Sequence, residues 1–162
     1  FQIFSAYALD GFANAAEALT GEAIGAKNRN RFRCSVKSSS ICALIFSGGF
    51  TVIYWLAGPL LIDILTTVED VRETARIYLP WMVALPMISV WSFQLDGIFI
   101  GSTWTTEMRN GMVISLIIFI IALYLMVPNM GNHGLWLAFS VFMVTRALTL
   151  GMCYPRLERG VG

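Results

Sequence analysis

Charge is what this sequence has least of. Asp, Glu, Lys and Arg make up only 13% of its 162 residues, against 57% hydrophobic ones, and mean hydropathy is +0.69. A water-soluble domain carries roughly 25% charged residues, and half that fraction leaves more apolar surface than water solvates. The balance therefore places the chain in a membrane. A formal net charge of +1 excludes nucleic acid as a partner. The three cysteines, Cys34, Cys42 and Cys153, lack any CxxC or Cys/His ligand spacing, which excludes a metal site and leaves free thiols. The single histidine, His133, falls in the turn-like NMGNHG and reads as a loop residue. There is no Walker motif, no GxGxxG and no nucleophile beside a base, so the sequence holds no enzyme chemistry and implies no cofactor. The opening FQIFSAYALDG has neither an initiator Met nor a basic segment before an apolar core. It is not a signal peptide and reads as a chain entered in the middle.

What the sequence has in quantity is long apolar runs. Five can be marked, at about 3–26, 38–65, 75–101, 110–127 and 132–153. About 20 helical residues cross the hydrocarbon core of a bilayer. The runs lack period-2 alternation and are about twice too long for barrel strands. The predicted fold is therefore an all-α integral membrane protein with five transmembrane helices, the first of them Ala- and Gly-rich and lining a bundle interior. Pro80 and Pro86 lie inside the third helix, where each removes a backbone hydrogen bond and invites a kink.

The basic residues set orientation. The stretch KNRNRFRCSVK (27–37), read as a loop, carries Lys27, Arg29, Arg31, Arg33 and Lys37 with no acid. Alternation places Arg109, Arg156 and Arg159 on its side, leaving Arg72 and Arg76 opposite, mixed with Glu69, Asp70 and Glu73. The side richer in Lys and Arg is the cytoplasmic one. The first helix then enters from outside and the C-terminus is cytoplasmic.

Ionisable residues within the spans are costly and point to a cavity, a partner or a site. Asp10, Asn14, Glu17 and Gly21 recur at helical spacing and share one face of the first helix. Measured from Lys27 as the cytoplasmic edge, Glu17 is expected ~15 Å deep, near the midplane, and Asp10 ~25 Å deep. Asp96, in the second of two Leu-Asp-Gly tripeptides, is expected only ~9 Å from its own cytoplasmic boundary. Asp10, Asn14, Glu17 and Asp96 are the candidates for an ion or substrate site. Structural hydrogen bonding to neighbouring helices is the competing role for each acid. Arg146, near the end of the fifth helix, can snorkel or pair with a carboxylate. Gly21 with Gly25, and Gly97 with Gly101, are small-xxx-small pairs suited to close helix packing.

DGFANAAEALTGEAIGAKN, PWMVALPMISVWSFQLDGIFIGSTWTTEMRNGM and GLWLAFSVFMVTRALTLG together resemble the multidrug and toxic compound extrusion (MATE) family, in its DinF-like branch. The resemblance implies a twelve-helix, two-lobed transporter, of which this chain is part of the C-terminal lobe, about helices 8–12. The N-terminal lobe of the same protein is then a missing partner, beside the lipid bilayer and small amphipathic substrates. The implied activity is antiport in a bacterial inner (plasma) membrane. H⁺ or Na⁺ is the coupling ion, and amphipathic, often cationic compounds leave as one lobe rocks against the other. The resemblance also puts a coupling acid of the DinF-like branch on the first helix, outside this chain, and that of other branches on the helix bearing Asp96. Two alternatives stand beside this: a lipid-linked oligosaccharide flippase of the same superfamily, and an inactive or scaffolding membrane fragment. Three interior acids against one Arg favour a cationic or neutral cargo over a phosphate-bearing one.

Overall fold

The computed structural model describes residues 1–161, which form five helices: α1 (Gln2–Gly25), α2 (Arg29–Leu65), α3 (Glu69–Gly101), α4 (Thr105–Met130) and α5 (Asn132–Arg159). Helices α2 to α5 are each long and apolar enough to cross a membrane. Helices α2 to α5 run further than the apolar runs alone indicate, because polar residues at the ends continue the helix, whereas α1 keeps the expected length. The clearest case is the basic stretch expected to be a loop. It is helical from Arg29 onward, capped by the Asn28 side chain, which accepts from Arg31 N–H at 3.0 Å. Only Ala26–Asn28 link α1 to α2, so Arg29, Arg31, Arg33 and Lys37 stand on the first turns of α2.

The α1–α2 and α3–α4 links are built alike. Lys27 N–H bonds to Ile24 O and Asn28 N–H to Ala23 O; Thr103 N–H bonds to Ile100 O and Trp104 N–H to Phe99 O. This pairing satisfies the last carbonyls of a helix and demands a left-handed residue, usually glycine. Here Lys27 (φ 48°) and Thr103 (φ 59°) take that position. The α4–α5 link uses a glycine, Gly131 (φ 57°). Beyond it, His133 is helical rather than a loop residue. Its Nδ1 accepts from Trp81 Nε1–H at 3.0 Å, and its ring packs on Tyr78, tying the start of α5 to α3.

Helix α3 is the hub: α1, α2, α4 and α5 all pack on it, and α4 leans chiefly on α5. It passes unbroken through Pro80 and Pro86. One residue from the Met82 carbonyl that Pro86 deprives of its helical donor, the Thr51 hydroxyl of α2 donates to Val83 O at 3.0 Å and ties α2 to this turn. The largest core cluster joins Ala16, Ala23, Phe32, Ile98, Phe99, Leu150, Leu157 and Val161. At this basic end Glu158 accepts from Arg29 (3.1 Å) and Arg33 (2.6 Å), and Tyr154 stacks on Phe32. The hydrogen bond from Arg33, joined by that from Arg29, holds the Glu158 carboxyl, beyond the apolar part of α5, below the usual carboxylate range. Helix α4 turns Val113, Ile117, Ile121 and Tyr124 outward, the surface a lipid-facing helix requires.

An interior candidate site at α1, α3 and α5

Glycine sets the geometry of the α1–α3 contact. A Cβ at Gly97 would stand 2.7 Å from the Ala13 carbonyl carbon and closer still to its oxygen. A Cβ at Gly101 would meet the Glu17 carbonyl and the Thr20 hydroxyl in the same way. The two contacts are four residues apart on both helices, so α1 and α3 run parallel in one register. Gly21 joins this seam, 3.3 Å from the Gly101 carbonyl oxygen as measured from its own added Cβ. Gly25 does not: nothing lies within 4 Å of it, because α3 has already ended at Gly101 and α1 continues past it alone.

This register corrects the expected depths. Glu17 lies level with Gly101, the last residue of α3. Asp10 and Asp96 differ by only two residues along parallel helices, ~3 Å of rise, rather than by the ~16 Å that counting from Lys27 and Ser102 gives. The count failed because α1 and α3 do not end in one plane. The two Leu-Asp-Gly tripeptides therefore stand almost level on neighbouring parallel helices.

Asp96 is buried at 7% exposure, and its Oδ2 pairs with Arg146 Nη2 at 2.6 Å. A lone carboxylate here would carry a large desolvation penalty, and a guanidinium neutralises it at close range. The pair joins α3 to α5. Asp96 Oδ1 has no partner, nor does Ser92 Oγ, one turn earlier on the same helix. Gln94 points to another side of α3, where its Nε2 donates to Ser39 Oγ of α2 at 2.7 Å. Asp10 and Asn14 are exposed and Glu17 half-buried, on the flank of α1 that borders its seam with α3. Neither Asp10 nor Glu17 makes an ion pair among the described residues.

Of the four candidate residues, then, Asp96 is held by a counter-ion inside the bundle, while Asp10, Asn14 and Glu17 form an outward polar stripe one to two turns long. Ser92 was not legible as a site residue, since a serine in a membrane helix carries no signal until its neighbours are known. The spacing of Ser92 and Asp96 on one face was the only available hint.

The MatE family model matches residues 1–127, most of the chain. The chain belongs to the MatE family. It is also 45% identical over 157 residues to the DNA damage-inducible protein F of Escherichia coli (strain K12), an alignment that takes in 94% of this chain and 33% of that protein. The chain thus spans about a third of the length of the relative it matches. No solved structure gives a significant match. A MatE-family chain is part of a membrane transporter and not of an enzyme. The helical, outward-apolar architecture described above fits a multi-pass membrane protein of that kind.

Proposed function

We propose that this chain is part of the C-terminal lobe of a secondary antiporter. That protein would export amphipathic, often cationic compounds in exchange for H⁺ or Na⁺, working by alternating access together with an N-terminal lobe. The observation that carries the reading is the unpartnered acidic face of α1. Asp10 and Glu17 are carboxylates on a membrane helix, one exposed and one half-buried beside the α3 seam, and neither is paired with a cation among the described residues, as residues at the edge of a water-filled or inter-lobe cavity would be. A cationic cargo or a coupling ion is what such a face would attract. Asp96 has a different part. Arg146 already neutralises it, so an ion arriving there would find Oδ1 and Ser92 Oγ as ligands but would compete with the guanidinium. The basic end, with Arg29, Arg31, Arg33, Arg156 and Arg159, would face the cytoplasm of a bacterial inner membrane.

The test uses the intact protein. Glu17→Gln and Asp10→Asn are expected to lower drug resistance of cells at an unchanged level of protein in the membrane. Counterflow in vesicles with imposed Na⁺ or pH gradients identifies the ion. Wild-type resistance and wild-type counterflow in the double variant would assign the stripe to helix packing. A fusion reporter at the C-terminus reads orientation separately: activity of a periplasm-dependent reporter there would reverse the topology.

A further inference from the structure

On the side of α3 away from Asp96, helices α2 and α5 stand apart. They touch only near the basic end, where Glu158 meets Arg29 and Arg33. Between them runs a groove of about 830 Å³ floored by α3, within the range of about 300–1,000 Å³ that takes small amphiphiles. Its walls are mainly apolar, with Ile41 and Leu44 on α2, Trp91 on α3 and Leu148 on α5. The one charged residue on the lining is Lys37, and no acid lines it. Lys37 is exposed and makes no ion pair among the described residues. Beside Ser39, two residues past Lys37 on α2, lies Gln94, 1% exposed, which also lines the groove. One end of its amide binds Ser39, and the other, Oε1, has no partner. Rotation of the amide exchanges donor and acceptor, so the floor offers one free polar group of either kind.

We propose that this groove is a binding site for one anionic membrane phospholipid, with an acyl chain along the apolar walls, the phosphate at Lys37 and the ester region over Gln94. Charge decides the class of occupant. A cationic amphiphile would place its charge beside Lys37 with no carboxylate to meet it, whereas a phosphate meets an ammonium that has no other partner. Depth agrees, because Lys37 stands toward the basic end where headgroups lie and the groove runs from there into the apolar span. A buried amide with a spare hydrogen-bonding end explains why the floor is not wholly apolar: the ester oxygens of a lipid sit just below its phosphate. This inference rests on residence in a membrane and not on the antiport reading.

The experiment places the full-length protein in nanodiscs of phosphatidylcholine containing a phosphatidylglycerol with a diazirine on one acyl chain, and maps photo-adducts by mass spectrometry. The expected result is labelling of groove residues above that of the lipid-facing α4 residues Ile117 and Ile121. Unlabelled phosphatidylglycerol should compete it away and phosphatidylcholine should not. Lys37→Glu is expected to cut groove labelling about fivefold while leaving α4 labelling alone, and Lys37→Arg to retain it. Gln94→Leu tests the floor and should lower competition by intact phosphatidylglycerol. Three results would each overturn the proposal. The first is groove labelling no higher than that of α4. The second is groove labelling indifferent to headgroup and to Lys37→Glu. The third is a disulfide between Leu148→Cys and a cysteine placed elsewhere in the full-length chain, showing that protein fills the groove.

Discussion

Replacing Gly97 with alanine is the sharpest test of how α1 and α3 meet. The added methyl would fall 2.7 Å from the Ala13 carbonyl carbon and 2.9 Å from its Cα, inside the 3.0 Å that real Cβ atoms respect. The obstruction is backbone, so no side chain can swing aside. Helix α1 must withdraw by up to ~1 Å, and a gap of that size forfeits a quarter to a half of the dispersion energy of each contact it opens. Overpacking of this kind costs about 1–3 kcal/mol, and a rigid obstacle puts Gly97→Ala toward the upper value, near a hundredfold in the folding equilibrium. Two neighbouring substitutions calibrate it. Gly21→Ala meets only the Gly101 carbonyl oxygen at 3.3 Å and should cost a few tenths of a kcal/mol. Gly25→Ala meets nothing and should be neutral or slightly stabilising. The assay is equilibrium unfolding of the full-length protein in mixed detergent and SDS micelles, followed by tryptophan fluorescence. If Gly97→Ala unfolds together with Gly25→Ala, the register argued above is wrong, and with it the near-level placement of Asp10 and Asp96.

The Asp96–Arg146 pair should behave as a buried one: Asp96→Asn or Arg146→Gln alone costs about 3–5 kcal/mol by stranding the partner, and the double variant recovers much of it. Additive losses in the same unfolding assay would show that the two side chains are not coupled. Lys27→Gly and Thr103→Gly, which relieve left-handed residues in the two similar links, should each stabilise by about 0.5–1 kcal/mol, and a loss of stability would refute the strain. Glu158→Gln should loosen the α2–α5 contact most at low salt, because its partners Arg29 and Arg33 are 43% and 57% exposed and such pairs are screened. Since the folded carboxyl titrates below its ordinary range, that contribution is present above the unfolded value and disappears as pH falls through the lowered one. Hydrogen exchange in the first turns of α2, compared at two salt concentrations and two pH values, reads both effects, and equal exchange in wild type and variant would discount the contact.

The amount of this architecture legible in the residues follows from the range of the interactions that fix it. Hydropathy is local, so the number of helices and their order could be read directly. The ends could not, because helix continuation through KNRNRFRCSVK depends on a cap at Asn28 and on Glu158, more than a hundred residues away, drawing Arg29 and Arg33 into contact. The small-xxx-small spacing correctly drew attention to Gly97, Gly101 and Gly21, yet spacing alone treats Gly25 as their equal, and only the point where α3 ends separates them. The depths of the acids failed for the same reason. Counting residues from a presumed membrane edge assumes that every helix ends in one plane, whereas the contact of Gly97 with Ala13 and of Gly101 with Glu17 slides α1 beyond α3. Once that slide is allowed, two tripeptides that look like a coincidence of sequence become neighbours in space. The neutralised Asp96 then lies nearly level with the unpaired Asp10, and it is Arg146, supplied by the last helix, that makes burying one of them tolerable while the other stays at the surface.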